Sequence, residues 1–533
     1  MSPIRALVLS LSLTLTLSGA PEALHPRLLF SSADVPALRE KIKREPYRSM
    51  AVALREIAEL DQHGTAPNNP AADYDQSVSA IRCSFLYVLT GDDTWAKKAR
   101  GYVEHWTGSP RWANPGTKGL TLYTGARSVM LAYDWCYGAP SWDTAFTEST
   151  AQKLSAMSKV IFENGGREQN TNPASNWQGL RWSVSGLLRL GLDEPVNPAE
   201  LEKCFALLRR YFAENVGPDP RSRGWNSEGL GYTFYPMGNG VVDFAIALKR
   251  HDPSKDLRQA CAGAAWSLWT CYAALVKTDT GLWHPDFSDD NPAAVGEGCY
   301  GYAFYFSPPS LQPGMKYWYD RTVGLQGDRS FDRSRLGIIA SILFYPDTSV
   351  VAQDPLTIPE WREAFADTGG NGMQSWRNAY QGTGDLLAQF YVKLRGNRGH
   401  NGPDALSFRI VGLNTLWAVG GGRYGKKTNG QEAYWRNMNT VYPVDPDTKL
   451  VNSEQSGQLV GTPVILPDGG GHAVARIARN NVGTGNHRRW FAADHSKAAG
   501  AEAAYVIYDT SDDGRFWQFC TLDTQPITTE GNT

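Results

Sequence analysis

YPDTSVVAQDPLTIP, residues 345–359, divides the chain. It carries three prolines and two aspartates and shows neither helical nor strand periodicity, so it reads as a connector. On its N-terminal side, from about residue 34, apolar residues recur at three- and four-residue spacing. The runs are VPALREKI (35–42), SVSAIRCSFLYVLTG (77–91), ARSVMLAYDWCYG (126–138), LSAMSKVIF (154–162), WSVSGLLRLGL (182–192), LEKCFALLRRYF (201–212) and VVDFAIALKR (241–250). Turn-forming clusters separate them: TGDD, TGSPRWANPG, YGAPSWD and NVGPDPRSRGW. This predicts an all-α region built of successive helical hairpins. Beyond the connector the texture turns to short strand-like runs, LLAQFYVKL (386–394), ALSFRIVGL (405–413), HAVARIA (472–478), AAYVIYDT (503–510) and RFWQFCTL (515–522), divided by GGGRYG, PDGGGH and SDDG. That predicts a C-terminal antiparallel β-domain, α+β overall. The expected boundaries are 24–350 for the helical domain, 351–371 for the connector and 372–533 for the β-sheet domain, which reads as incomplete at its C-terminus.

Composition sets outer limits. The chain has 533 residues, enough for roughly two to four domains by the usual size prior. Apolar residues make up 42% and charged residues 20%, a globular balance, and the formal net charge of −2 gives none of the basic surplus of a nucleic-acid-binding protein. Residues 1–23 read as a secretory signal: Arg5, an apolar run from Ala6 to Leu17, then a small-residue cleavage site at Ser18-Gly19-Ala20 or at Ala23. The run is too short to span a bilayer, so a secreted or periplasmic protein without a membrane span is expected. The seven cysteines have no metal-type spacing and several lie in apolar helical runs, where buried free thiols are expected. The 18 Trp and 24 Tyr suit either a sugar-binding cleft or a large helical core.

Five segments in order carry a resemblance. LHPRLLFSSADVPALREKI (24–42), AYDWCYG (132–138), SNWQGLRWSVSGLLRLGL (175–192), NSEGLGYTFYPMG (226–238) and GHNGPDALSFRIVGLNTLWAVGGGRYG (399–425), with ADHSKA (493–498) after them, resemble the heparinase II/III-like polysaccharide lyases, and also dermatan-sulfate epimerase-like proteins. The resemblance implies an incomplete (α/α) toroid followed by stacked antiparallel sheets, with a cleft between them. It also implies an acidic polysaccharide as substrate, cleaved at a uronic acid by β-elimination, and no cofactor.

That chemistry has three requirements: the sugar carboxylate must be neutralised, a base must take the C5 proton, and an acid must protonate the departing O4. The resemblance places Asn176 as neutraliser, with Gln178 assisting. The plain alternative for Asn176 is a helix N-cap. Tyr235 is the candidate acid, with Tyr232 three residues earlier as the alternative and Glu228 in support. His400 is the candidate base, its ordinary pKa lying near neutrality. Arg127 and Arg398 are candidate glycan-binding cations, and Trp177 and Trp225 candidate stacking surfaces; Trp182 is expected in the core. Relatives carry a structural metal in the β-domain, but the matching positions here are Gly402, Gly420 and Met438, so no metal is expected there. Asp404, His472, His487 and His495 are scattered. A C5-epimerase would use the same proton abstraction. A glycoside hydrolase would need a carboxylate pair such as two of Asp134, Glu228 and Asp286, and a non-catalytic glycan-binding protein would need neither. Oligomeric state is not legible.

Overall fold

The computed structural model describes residues 25–60, 70–290, 298–324, 337–396, 402–420, 438–442, 455–479, 486–512 and 516–521, with the backbone alone over 70–77 and at 479. The signal-like segment 1–23, the candidate base His400 and Arg398 lie outside these residues.

The first part of the chain is helical, as the periodicity predicts. Its elements are α1 (Val35–Lys41), α2 (Tyr47–Leu60), α3 (Pro70–Thr90), α4 (Asp93–Thr107), α5 (Gly119–Cys136), α6 (Thr144–Glu163), α7 (Asn176–Gly191) and α8 (Pro198–Asn215). There follow α9 (Leu230–Pro236), α10 (Val242–His251), α11 (Leu257–Ala260), α12 (Trp269–Ala273), α13 (Tyr300–Phe306), α14 (Gln312–Thr322), α15 (Gly337–Phe344) and α16 (Pro359–Glu363). Side chains of Asp92, Asp143, Ser175 and Asn197 cap α4, α6, α7 and α8, which is why those helices start where they do. α5 and α7 are buried on nearly every side, the pattern of helices surrounded by others. α3, α5, α7 and α10 pack in succession, with α4, α6 and α8 flanking them, and α15 returns to pack on α2. A hairpin unread from the sequence, β1 (Val276–Thr278) and β2 (Gly281–Trp283), interrupts the helices.

The later part forms antiparallel sheets. The first has the order β3 (Met373–Arg377), β4 (Leu386–Tyr391), β5 (Ser407–Gly412), β6 (Thr415–Ala418), and β7 (Val441–Tyr442) pairs with the last strand. The second sheet is built from β8 (Ser456–Leu459), β9 (Val464–Ile465), β10 (Gly471–Arg479), β11 (Arg488–Asp494) and β12 (Ala504–Thr510); β13 (Phe516–Trp517) completes the β7 ribbon. The runs read as strands correspond to β4, β5, β10, β12 and β13, whereas β3, β6, β7, β8, β9 and β11 were not read.

The first sheet is the middle layer. β4 is buried on both faces: Leu387 and Tyr391 join the helical core, while Ala388 and Phe390 face the second sheet. Between the sheets, the Phe491 ring stacks on Trp376 at 5.2 Å and on Phe390 at 5.7 Å. Ala473, Ala475 and Ala493 make room for those rings.

The second sheet also carries a pH-sensitive tie. Burial alone would raise the Asp509 carboxyl, but hydrogen bonds from His487 and Arg489 outweigh it and hold the group well below the ordinary range. A depressed carboxylate contributes stability that is present above its unfolded pKa and is lost as pH falls through the folded one. Urea midpoints of the native chain should therefore fall below about pH 4 more steeply than those of Asp509→Asn; parallel curves would show that Asp509 makes no such contribution.

Candidate functional site

α7 begins where it does because Ser175, not Asn176, is the N-cap: the Ser175 hydroxyl accepts from Trp177 N at 3.3 Å. The plain alternative for Asn176 is thereby removed. Asn176 is the first helical residue, 1% exposed. Its backbone N and its side-chain Nδ2 each donate to Glu228 Oε2 at 3.0 Å. Glu228 is itself held by a turn in which its N donates to Asn226 Oδ1 at 2.7 Å. Gly229 follows with φ +113, a conformation open to glycine at little cost. A side chain there would meet Phe287 O at 3.0 Å. The segment then enters α9, which carries Tyr232 and Tyr235. The structure thus brings Asn176, Glu228 and α9 to one junction.

The two tyrosines differ in surroundings. Tyr232 is buried and its hydroxyl donates to Asp289 Oδ2 at 2.7 Å. Tyr235 is half-buried. Pro236 ends α9, and a π-type turn over Met237–Val241 leads into α10. Asn239 Nδ2, within that turn, donates back to Tyr235 O at 2.7 Å.

Sequence reading missed the element that fastens this junction to the β-layer, the strap HPDFSDD at 284–290. His284 Nε2 and Gly231 N both meet Asp290 Oδ2, at 3.1 and 3.0 Å. Asp286 Oδ1 lies 3.1 Å from Arg409 Nε of β5. Phe287 packs edge-on against Trp225 and Tyr391. Ser288 donates from both N and Oγ to Asp404 Oδ2, at 3.0 and 2.7 Å. Ser288 adopts φ +55 while buried, a strained conformation for a residue with a side chain, kept by the bonds around it. Burial raises the Asp286 carboxyl, against the pull of Arg409. The available signal was the density of one His and three Asp in seven residues, but neither helix nor strand period marked it.

Several candidates prove structural. Arg127 is a correction: it is 1% exposed and its Nε pairs with Asp243 Oδ2 at 2.5 Å, while Tyr302 OH donates to the other Asp243 oxygen at 2.6 Å. A buried, neutralised guanidinium is not a glycan-binding cation. Trp225 is likewise corrected to core packing, 2% exposed against Phe287 and Tyr391. Gln178 spends both ends of its amide on scaffold, accepting from Trp182 Nε1 at 2.8 Å and donating to Asn170 O. Trp182 lies in the core as expected. Trp177 is half-buried beside Asn176. Asp134 accepts from His25, Arg27 N and Leu28 N, Glu228 from Asn176, and Asp286 from Gly420 N and Arg409.

The three positions that the resemblance matches to metal ligands lie beside two cations instead, Gly402 at Lys393 and Gly420 and Met438 at Arg409. Gly402 O accepts from Lys393 Nζ at 2.6 Å. Gly420 N donates to Asp286 Oδ1 at 2.8 Å, and a side chain at Gly420 would meet Arg409 Nη2 at 2.5 Å. Met438 Sδ accepts from Arg409 Nη2 at 3.3 Å. A metal does not fit this donor set. Among the described residues no three His, Cys, Asp or Glu side chains gather to hold one, and no helix is long and apolar enough to cross a membrane.

No family model and no curated protein matches the chain by sequence. Solved structures do match. The crystal structure of heparinase III superposes with a TM-score of 0.56 over 88% of this chain and 68% of that one, at 12% identity. Heparan sulfate lyase HepC from Pedobacter heparinus gives a TM-score of 0.45 over 90% of this chain and 73% of that one, at 12% identity. A chondroitin AC lyase of Streptomyces coelicolor gives 0.42 over 86% and 68%, at 10% identity. The class defined here is one of fold: helices first, layered antiparallel sheets after, as in heparinase III. These neighbours are polysaccharide lyases, the group that the sequence motifs resemble.

Proposed function

We propose that the protein is a secreted polysaccharide lyase that cleaves an acidic glycan at a uronic acid by β-elimination, and that its helical hairpins close as an incomplete (α/α) toroid. The observation that carries this reading is the Asn176–Glu228 junction, which joins the start of α7 to the segment bearing Tyr235. An amide nitrogen carries two protons. Glu228 takes one Nδ2 proton and fixes the amide plane; the other is the donor for the sugar carboxylate, stabilising the charge that builds on it as C5 loses its proton. His400 takes that proton, and the Tyr235 phenol protonates O4 as the C4–O4 bond breaks, leaving a 4,5-unsaturated uronate. Because Asn176 is closed off from solvent, the reading requires its cover to part when glycan binds.

The test is a panel of acidic polysaccharides, followed by ultraviolet absorbance of the unsaturated product. Rising absorbance with at least one glycan is expected. New reducing ends without absorbance would overturn elimination in favour of hydrolysis, and a changed uronate configuration without chain cleavage would replace it with epimerisation.

A further inference from the structure

Lys118 and Arg167 stand directly opposite each other on an isolated parallel β-bridge. Arg167 N donates to Thr117 O at 2.8 Å and Gly119 N donates to Arg167 O at 3.2 Å. The approach depends on glycines. A Cβ on Gly119 would lie 2.4 Å from Gly165 O, and one on Gly166 would lie 2.7 Å from Thr117 O, with Gly166 at φ +79. Like charges set opposite one another on paired strands destabilise the pairing. Here they are also solvent-exposed, Lys118 makes no ion pair among the described residues, and Arg167 reaches only its neighbour Glu168, at 3.4 Å. Lys118 Nζ lies 5.8 Å from the ring centroid of Trp177, and Trp177 directly follows Asn176.

We infer that Lys118, Arg167 and the Trp177 ring form a subsite for an anionic sugar beside the one whose carboxylate meets Asn176. An anion between the two cations offsets their repulsion, and the indole supplies an apolar face for the sugar ring. The inference rests on the lyase reading and narrows its substrate class to glycans with charge on adjacent sugars. That charge is a carboxylate or a sulfate, and the experiment distinguishes them.

The native chain, Lys118→Ala, Arg167→Ala and Lys118→Arg are compared on three glycans: a polyuronate, an unsulfated chain alternating uronic acid with a neutral amino sugar, and its sulfated counterpart. Calorimetric binding is measured alongside kcat and KM. Removing either cation is expected to weaken binding and raise KM about tenfold, the worth of one charge-assisted hydrogen bond. Turnover number should stay within about twofold, and Lys118→Arg should restore most of the loss. If the loss appears on the polyuronate the anion is a carboxylate; if on the sulfated chain, a sulfate. Equal effects on all three glycans, or no dependence of binding on Lys118, overturn the subsite. Absence of unsaturated product with Lys118-dependent binding intact would overturn the lyase reading alone.

Discussion

Tyr235→Phe is expected to lower kcat for glycan cleavage by about 10²–10⁴, the usual contribution of a positioned proton donor, with glycan binding retained. The substitution removes one oxygen from a half-buried ring in the last turn of α9 and leaves the ring's packing against the helical core in place. Tyr232→Phe should behave differently. Its hydroxyl donates to a fully buried carboxylate, Asp289, so losing it withdraws a donor from a group that solvent cannot reach. A cost of about 1–3 kcal/mol in stability is expected there, seen as a lower urea midpoint. The pair of variants decides between the two tyrosines. Tyr235→Phe retaining full turnover while Tyr232→Phe loses it at unchanged stability would move the acid role to Tyr232.

What was legible in the sequence follows the physics of periodicity. Helices such as α5 and α7 are legible because their apolar residues recur at three- and four-residue spacing, and β4 and β5 because strands buried on both faces are mostly apolar, interrupted here only by Gln389, Ser407 and Arg409. Asn176 and Glu228 were found through motif resemblance, and their contact across 52 residues could not be read from either segment alone. Arg127 misled because an arginine in a helical pattern looks alike whether it faces glycan or Asp243, which lies 116 residues further on. β11 went unread because its outward face carries Arg488, Trp490, Ala492 and Asp494 while Arg489 is buried among Phe491 and Ala493, which blurs the polar–apolar alternation. The strap at 284–290 was missed for a deeper reason: its residues are specified one at a time by partners in other elements, so no local rule describes them.

That strap depends on a buried ion pair, and breaking the pair is the larger stability prediction. Lys393 and Asp404 have fully buried side chains with Nζ 2.9 Å from Oδ1. Lys393 also binds Gly402 O, and Asp404 receives both Ser288 donors. Removing one member of such a pair leaves a buried charge without its counter-charge, so Lys393→Met should destabilise the chain by about 3–5 kcal/mol. Replacing both, as Lys393→Met with Asp404→Leu, should recover part of that loss, because the isolated charge is gone even though Ser288 then lacks its acceptor. The double variant should remain poor in turnover for a separate reason. Ser288 holds its left-handed conformation through Asp404, and the same strap presents Asp289 to Tyr232 and Asp290 to Gly231 at the start of α9. Chemical denaturation measures the first effect and kcat the second. A single variant as stable as the native chain would show that the pair does not hold the layers together, and a double variant with native turnover would show that the strap does not set the position of α9.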